Sequence, residues 1–95
     1  MKFGEVLKNL RVKKGVSIKE LAGEIGLDYT YISKLENFKV NPSAEVIRRF
    51  SHYFDYDADE LMLSAKKIPD DISEILRTNP KAALNYLRSK FGASR

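Results

Sequence analysis

The apolar residues of the chain recur at helical spacing from its beginning. Four of them stand at positions i, i+3, i+4 and i+7, which places them on one face of a helix: Phe3, Val6, Leu7 and Leu10. Gly15 follows this run, and glycine favours the left-handed conformation that closes a helix. No segment of the sequence alternates strictly between apolar and polar residues, as a half-buried strand does. The pattern therefore predicts an all-α fold.

Capping residues divide the sequence up to residue 65 into four further helices. Ser17 and Glu20 form the Ser-x-x-Glu capping box that opens the second helix, and Gly26 ends it. The caps predicted for the next three helices are Asp28, Ser43 and Asp57. The residues that the second to fourth helices are expected to bury are Leu21, Ala22, Ile25, Ile32, Leu35, Val46, Ile47, Phe50 and Phe54.

Residues 65–95 are predicted to form an extension of one or two helices on a domain that covers residues 1–64. Ile68-Pro69 interrupts the helical pattern, and Asn79-Pro80 ends one helix and starts the next, because proline suits the first helical position. Two apolar stripes result, and their members are Ile72, Ile75 and Leu76, then Ala83, Leu84, Leu87 and Phe91. Residues 93–95 are expected to fray.

The amino-acid composition argues against several classes of function. A chain of 95 residues is expected to form one domain, and the lack of cysteine excludes disulfides, thiolate zinc sites and thiol nucleophiles. His52 is the only histidine, and no catalytic nucleophile with its base can be assembled. We therefore expect no metal site, no cofactor and no enzyme. No apolar run approaches the roughly 20 residues of a membrane helix, and no signal peptide is apparent, so we expect a soluble cytoplasmic protein.

The net charge of +4 is unevenly distributed. Residues 1–54 carry ten Lys or Arg against six Asp or Glu, residues 55–60 carry four acids alone, and residues 61–95 carry seven bases against three acids. A basic stripe on a small domain is typical of a polyanion-binding surface. The same charges suit a solvated helical surface, and charge alone leaves both interpretations open.

Residues 17–37 have the spacing of a helix-turn-helix. Ala22 is small enough to let the two helices approach, and Gly26 suits the tight turn between them. The apolar residues of the second of these helices would hold it on the bundle. The residues left on its outer face are Tyr29, Thr30, Ser33 and Lys34.

This arrangement resembles the lambda-repressor-like DNA-binding domains of the Cro/Xre family. The resemblance runs from about Phe3 to Leu63 and rests on short motifs in a fixed order. They are Leu10-Arg11, Ser17-x-x-Glu20-Leu21-Ala22, Gly26, Tyr31-Ile32-Ser33-x-Leu35-Glu36, Asn41-Pro42-Ser43 and Asp59-Glu60-Leu61. The resemblance implies a five-helix bundle whose second and third helices bind double-stranded DNA. It also implies a sequence-specific transcriptional regulator, a repressor or controller that acts as a homodimer.

The resemblance also assigns roles to individual residues. Residues 28–37 would form a recognition helix in the major groove, and the residues implied to read bases are Tyr29, Thr30, Ser33 and Lys34. Those implied to meet phosphates, or to attract them, are Ser17, Lys19, Lys39, Asn41, Lys13 and Lys14. Arg11 and Glu36 would form a partly buried ion pair that fixes the orientation of the recognition helix.

Two positions depart from the family pattern. The residue after the cap of the second helix is usually glutamine and is Ile18 here, and the residue after Asn37 is usually glycine and is Phe38 here. Phenylalanine bears a steric cost at positive φ. We therefore expect Asn37 to take the left-handed position, with Phe38 against the core or exposed beside the DNA.

The extension has two possible uses. Helix-turn-helix domains usually act as two-fold dimers, and the residues predicted to form the dimer contact are Leu84, Tyr86, Leu87 and Phe91. The stripe that contains Ile72, Ile75 and Leu76 is then predicted to pack on the domain. The alternative function is an interaction module, such as an antitoxin, that binds a partner protein through the extension.

Overall fold

The computed structural model describes residues 1–92, and the fraying expected at residues 93–95 lies outside them. Within the described residues every regular element is a helix, as predicted. The helices are α1 (Phe3–Lys14), α2 (Ile18–Ile25), α3 (Tyr29–Glu36), α4 (Ala44–Phe54), α5 (Ala58–Ser64), α6 (Asp70–Thr78) and α7 (Pro80–Phe91). None of these helices combines the length and hydrophobicity that crossing a bilayer requires.

The predicted capping residues open α2 to α5. The Ser17 hydroxyl accepts from the Glu20 backbone N–H at 3.0 Å, and the Ser17 N–H donates to the Glu20 carboxylate at 2.9 Å. The other caps, whose side chains accept from the first turns of α3, α4 and α5, are Asp28, Ser43 and Asp57. Each cap satisfies a backbone N–H that has no partner inside its helix. The starts of these helices therefore follow from the local sequence.

Each helix of the bundle α1–α5 is followed by a residue with positive φ. These residues, in chain order, are Gly15, Gly26, Phe38, Asp55 and Lys66. In each case the N–H of the following residue donates to a carbonyl five positions earlier, as in Lys39 N–H to Lys34 O at 2.9 Å. This is the Schellman motif, in which a left-handed residue closes the helix. Glycine predicts two of the five ends, and the other three carry a side chain in this conformation.

One core lies between α1, α2, α3, α4 and α5. Its fully buried side chains are Phe50, Leu7, Leu21, Ile32, Leu35, Ile47 and Leu61. The ring centroids of Phe3 and Phe50 lie 6.1 Å apart, and those of Phe50 and Phe54 lie 6.4 Å apart. Every residue predicted to be buried in α1 to α4 is buried or packs against this core. Hydrophobic periodicity therefore predicted the inward faces correctly.

The end of α2 is tied to α4. The Arg49 guanidinium donates to the Ile25 carbonyl oxygen, and the Tyr53 hydroxyl donates to the Glu24 carboxylate. The hydrogen bond to Glu24 is the main reason that the pKa of Tyr53 is raised to about 12. These two hydrogen bonds hold the C-terminal end of α2 against α4.

The C-terminal extension, formed by α6 and α7, projects from the bundle. The radius of gyration is 15.8 Å and the extents are 46 × 26 × 24 Å, whereas a compact chain of this length has a radius of gyration of about 12 Å. Within residues 1–92, α6 contacts α7, and neither packs extensively on the bundle. The prediction that Ile72, Ile75 and Leu76 pack on the domain is wrong, because α6 packs mainly against α7. Ile72 and Ile75 are 43% and 51% exposed, and Leu76 is half-buried. Helical spacing identifies the apolar residues that share one face of a helix, but it does not identify the part of the protein that packs on that face.

Gly4 permits a close approach between α1 and the end of α3. This residue is buried, and a Cβ atom there would lie 2.5 Å from the Leu35 carbonyl oxygen. The same atom would lie 2.9 Å from two ring carbons of Phe38. α1 can occupy this position only because residue 4 has no side chain.

We expect Gly4→Ala to lower the free energy of unfolding by about 1–3 kcal/mol, because the added methyl group overpacks against a backbone carbonyl. Gly23→Ala is the matched control, since Gly23 is exposed in α2 with nothing within 4 Å of its Cβ position. The control should raise the free energy of unfolding by about 0.5–1 kcal/mol through helix propensity. Urea denaturation measures both, and equal effects of the two substitutions would contradict the close approach at Gly4.

Candidate nucleic-acid interface

α3 is held on the bundle by one face. The Asp28 carboxylate accepts from the Thr30 N–H at 2.9 Å and fixes the start of the helix. Ile32 and Leu35 are fully buried in the core. Tyr31 is half-buried and packs against the same core. The orientation of α3 about its own axis is therefore set by apolar packing.

The opposite face of α3 is open. Tyr29, Thr30 and Lys34 are exposed, and Ser33 is half-buried. Their spacing puts the four residues on one side of the helix. The structure thus brings together the residues predicted to read bases. Their hydroxyl and ammonium groups line the open face of α3.

A bidentate ion pair connects this helix to α1. Arg11 Nε donates to Glu36 Oε2 at 2.7 Å, and Arg11 Nη2 donates to Glu36 Oε1 at 2.9 Å. Arg11 Nη1 also donates to the Val16 carbonyl oxygen at 3.0 Å. The Arg11 and Glu36 side chains are 12% and 4% exposed. The hydrogen bond with Glu36 is the main cause that raises the pKa of Arg11.

The first turn of α2 is the second part of the candidate interface. Ser17 and Lys19 are exposed there, close to backbone N–H groups that suit an anion. Glu20 closes the capping box, and its hydrogen bonds with Ser17 lower the pKa of the Glu20 carboxyl. Its negative charge therefore lies at the same helix start. Ile18 is half-buried against the core and adds no polar group.

The turn after α3, residues 37–43, holds the exposed Lys39 and Asn41. The prediction for the start of this turn is wrong. Asn37 has φ −99°, and Phe38 takes the left-handed position at φ 61°. The left-handed conformation costs a side-chain-bearing residue about 1–2 kcal/mol. The Schellman hydrogen bonds at the end of α3 offset part of this cost.

The lysines at the end of α1 have different surroundings. Both Lys13 and Lys14 are exposed. Lys14 Nζ lies 4.6 Å from the centroid of the Tyr53 ring, over its face, which is the geometry of a cation–π contact. The Lys14 ammonium is thus held beside α4, whereas Lys13 has no such ring contact among the described residues.

A groove of about 390 Å³ beside the turn was not predicted from the sequence. It lies between the start of α1, residues 38–42 and the end of α5. Its charged residues are Lys2, Lys66 and Lys67, and no acidic residue in the described part of the chain lines it. The adjacent Lys66 and Lys67 are a visible sequence signal, but their position depends on where α5 ends.

Comparison with known families identifies the fold of this interface. A family model described as a helix-turn-helix domain matches residues 4–67. The transcriptional activator BcrR of Enterococcus faecalis is 33% identical over 87 residues, which is 92% of this chain and 42% of that protein. The regulator SinR of Bacillus subtilis is 33% identical over 61 residues, 63% of this chain and 55% of SinR. The chain spans about half the length of these curated relatives.

A solved structure has the same fold. The crystal structure of the clp gene regulator ClgR from Corynebacterium glutamicum matches with a TM-score of 0.58. The similarity covers 96% of this chain and 92% of that chain, at 22% sequence identity. Because the match spans nearly the whole chain, it takes in most of the extension as well as the bundle.

We expect Arg11→Ala to lower the free energy of unfolding by about 3 kcal/mol, because the Glu36 carboxylate is left buried without its partner. Arg77→Ala is the matched control, since Arg77 pairs with Glu74 on α6 with side chains 69% and 55% exposed. That change should cost about 0–1 kcal/mol. Urea denaturation measures both. An Arg11→Ala protein as stable as the parent would contradict the structural role of the pair.

Proposed function

Because the chain belongs to the helix-turn-helix family of Cro/Xre type, we propose that it is a DNA-binding transcriptional regulator that reads its operator with α3. The observation that carries this proposal is the division of α3 into two faces. Ile32 and Leu35 are buried, while Thr30 and Lys34 remain exposed. A helix fits the major groove, about 12 Å wide, where each base pair offers a distinct pattern of donors and acceptors.

The side chains on the open face of α3 match the chemistry of base edges. The Lys34 ammonium donates to guanine O6 and N7. The Thr30 and Ser33 hydroxyls donate or accept, and the Thr30 methyl group contacts a thymine methyl. Tyr29 packs on a thymine methyl or donates to a phosphate. These contacts give the protein its choice of sequence.

Two flanking elements supply phosphate contacts. The first turn of α2 offers backbone N–H groups with Ser17 and Lys19, and the turn after α3 offers Lys39 and Asn41. Lys13 and Lys14 add longer-range attraction to the DNA. These contacts raise affinity for all sequences alike and make binding depend on salt.

The extension supports action as a homodimer. It exposes a set of apolar side chains, which are Ile68, Ile72, Ile75, Leu84, Tyr86, Leu87 and Phe91. Helices as short as α6 and α7 are marginal alone in water, and an exposed apolar stripe of this kind marks an interaction surface. A second copy of the chain would cover the apolar stripes of α6 and α7 with its own α6 and α7. Residues 65–95 are therefore the dimerisation element in this proposal, and residues 1–64 are the DNA-binding domain.

A dimer on adjacent half-sites explains how a small domain gains affinity. The second domain binds as an intramolecular event, which strengthens binding about 10²–10⁴-fold without new kinds of contact. We favour repression as the mode of action, because occupation of an operator needs no activating surface. The second candidate function is the capture of a partner protein by the same exposed stripe, as in an antitoxin.

Lys34→Ala should relax the preference of the protein at one base position of its selected operator, with a cost of about 1–3 kcal/mol at that site. Lys39→Ala should weaken binding to all sequences alike and reduce the salt slope by about one. Selection from a random DNA pool, followed by titrations at several salt concentrations, measures both. A uniform loss from Lys34→Ala would remove its base-reading role.

Leu87→Asp should convert the dimer to a monomer, because the carboxylate is placed in the apolar contact. Sedimentation should then give the chain mass of 10.9 kDa in place of twice that value, and operator affinity should fall about a hundredfold. Asn85→Asp adds the same charge to the exposed polar side of α7 and should leave the dimer intact. A monomeric parent protein at tens of micromolar would contradict dimerisation and favour a partner protein.

A further inference from the structure

Phe38 occupies a position that suits glycine. It is the residue after the cap of α3, with φ 61°. Its N–H donates to Leu35 O at 3.3 Å, and the N–H of Lys39 donates to Lys34 O at 2.9 Å. These two hydrogen bonds close α3 and set the direction in which residues 39–42 leave it. A side chain with a Cβ atom resists this conformation, whereas glycine adopts it readily.

The Phe38 ring rests on the backbone of α1. Two of its ring carbons, Cδ1 and Cε1, reach within 2.9 Å of the position where residue 4 would carry a Cβ. Because Gly4 has no Cβ atom, the ring can pack directly against the backbone of α1. The side chain is nevertheless 54% exposed, so the contact is made by one edge of the ring.

Lys2 covers the ring from the start of α1. Its Nζ atom lies 5.2 Å from the ring centroid, which is within cation–π range. The Phe38 ring therefore contacts the Gly4 backbone at one edge and the Lys2 ammonium group over its face. Both contacts come from outside the turn that Phe38 starts.

We propose that Phe38 is a positioning residue for DNA binding: its ring, seated on Gly4, fixes the left-handed start of the turn that carries Lys39 and Asn41. This inference rests on the proposed function, in which that turn contacts phosphates. A glycine at this position would adopt the left-handed conformation because its backbone is unrestricted. In this chain the seated ring holds the same conformation. It also connects α1 to the DNA-facing turn, independently of the pair between Arg11 and Glu36.

Two variants of Phe38 separate the effect of the ring from the effect of the backbone. Phe38→Ala removes the ring but keeps a Cβ atom, so the left-handed conformation loses its support. Phe38→Gly also removes the ring, but it frees the backbone to adopt the same conformation. If the ring acts by positioning the turn, the glycine variant should recover what the alanine variant loses.

The experiment uses the full chain and a duplex selected by the parent protein. Phe38→Ala should bind this duplex about tenfold more weakly, with unchanged base preference, and the Lys39 amide should exchange with solvent about tenfold faster. Phe38→Gly should remain within about threefold of the parent in both measurements. Phe38→Leu, which keeps a large apolar side chain, takes the place of the alanine variant if that variant does not fold, and an intermediate loss is expected.

Two results would overturn the proposal. In the first, Phe38→Ala binds DNA and protects the Lys39 amide as the parent does. In the second, Phe38→Gly keeps the Lys39 amide protected but binds DNA as weakly as Phe38→Ala, which would assign the ring a direct contact with DNA. Amide exchange is measured without DNA, so failure of the parent to select any duplex would reject the proposed function and leave this test of the turn in place.

Discussion

The bidentate pair between Arg11 and Glu36 is the interaction on which the presentation of α3 depends. Removing two charges from water is costly, and their attraction returns that cost only when the geometry is good and the remaining donors are satisfied. Both conditions hold here, because two parallel hydrogen bonds join the groups and Arg11 also donates to the Val16 carbonyl. The pair therefore contributes orientation more than net stability. It fixes the C-terminal end of α3 against α1, and so it fixes the angle at which the open face meets a ligand.

The rest of the candidate interface is arranged around that fixed helix. Apolar packing through Ile32 and Leu35 sets which side of α3 faces outward. The capping box of α2 sets where that helix starts. α4 supports the C-terminal end of α2 through Arg49 and Tyr53. The groups proposed to read bases thus stand on a rigid helix, while the groups proposed to meet phosphates stand at a helix start and on a turn.

Much of this could be predicted from the sequence, because the signals are local. Caps such as Asp28 and Ser43 satisfy specific backbone groups, and their helices begin where predicted. Spacing alone also separated the buried Ile32 from the exposed Lys34. The face of α3 followed from its periodicity, and the family resemblance indicated what that face would meet.

Two features could not be predicted, because they depend on contacts distant in the sequence. Phe38 rather than Asn37 takes the left-handed position, and its ring occupies the space that a glycine 34 residues earlier leaves open. The path of the extension was also missed. The stripe of Ile72, Ile75 and Leu76 shows correct helical spacing, but Ile72 and Ile75 stay exposed because α6 leaves the bundle after the turn at Lys66. Hydrophobic periodicity shows which residues share one face of a helix, but it does not show which element packs against that face.

If α3 is the recognition helix, DNA lies against its open face. The most direct measurement is the change in backbone amide resonances of the whole protein when a selected duplex is added. The largest changes are expected on residues 28–37, with smaller ones at the start of α2 and at Lys39 and Asn41. Changes confined to α6 and α7, with residues 28–37 unaffected, would contradict it.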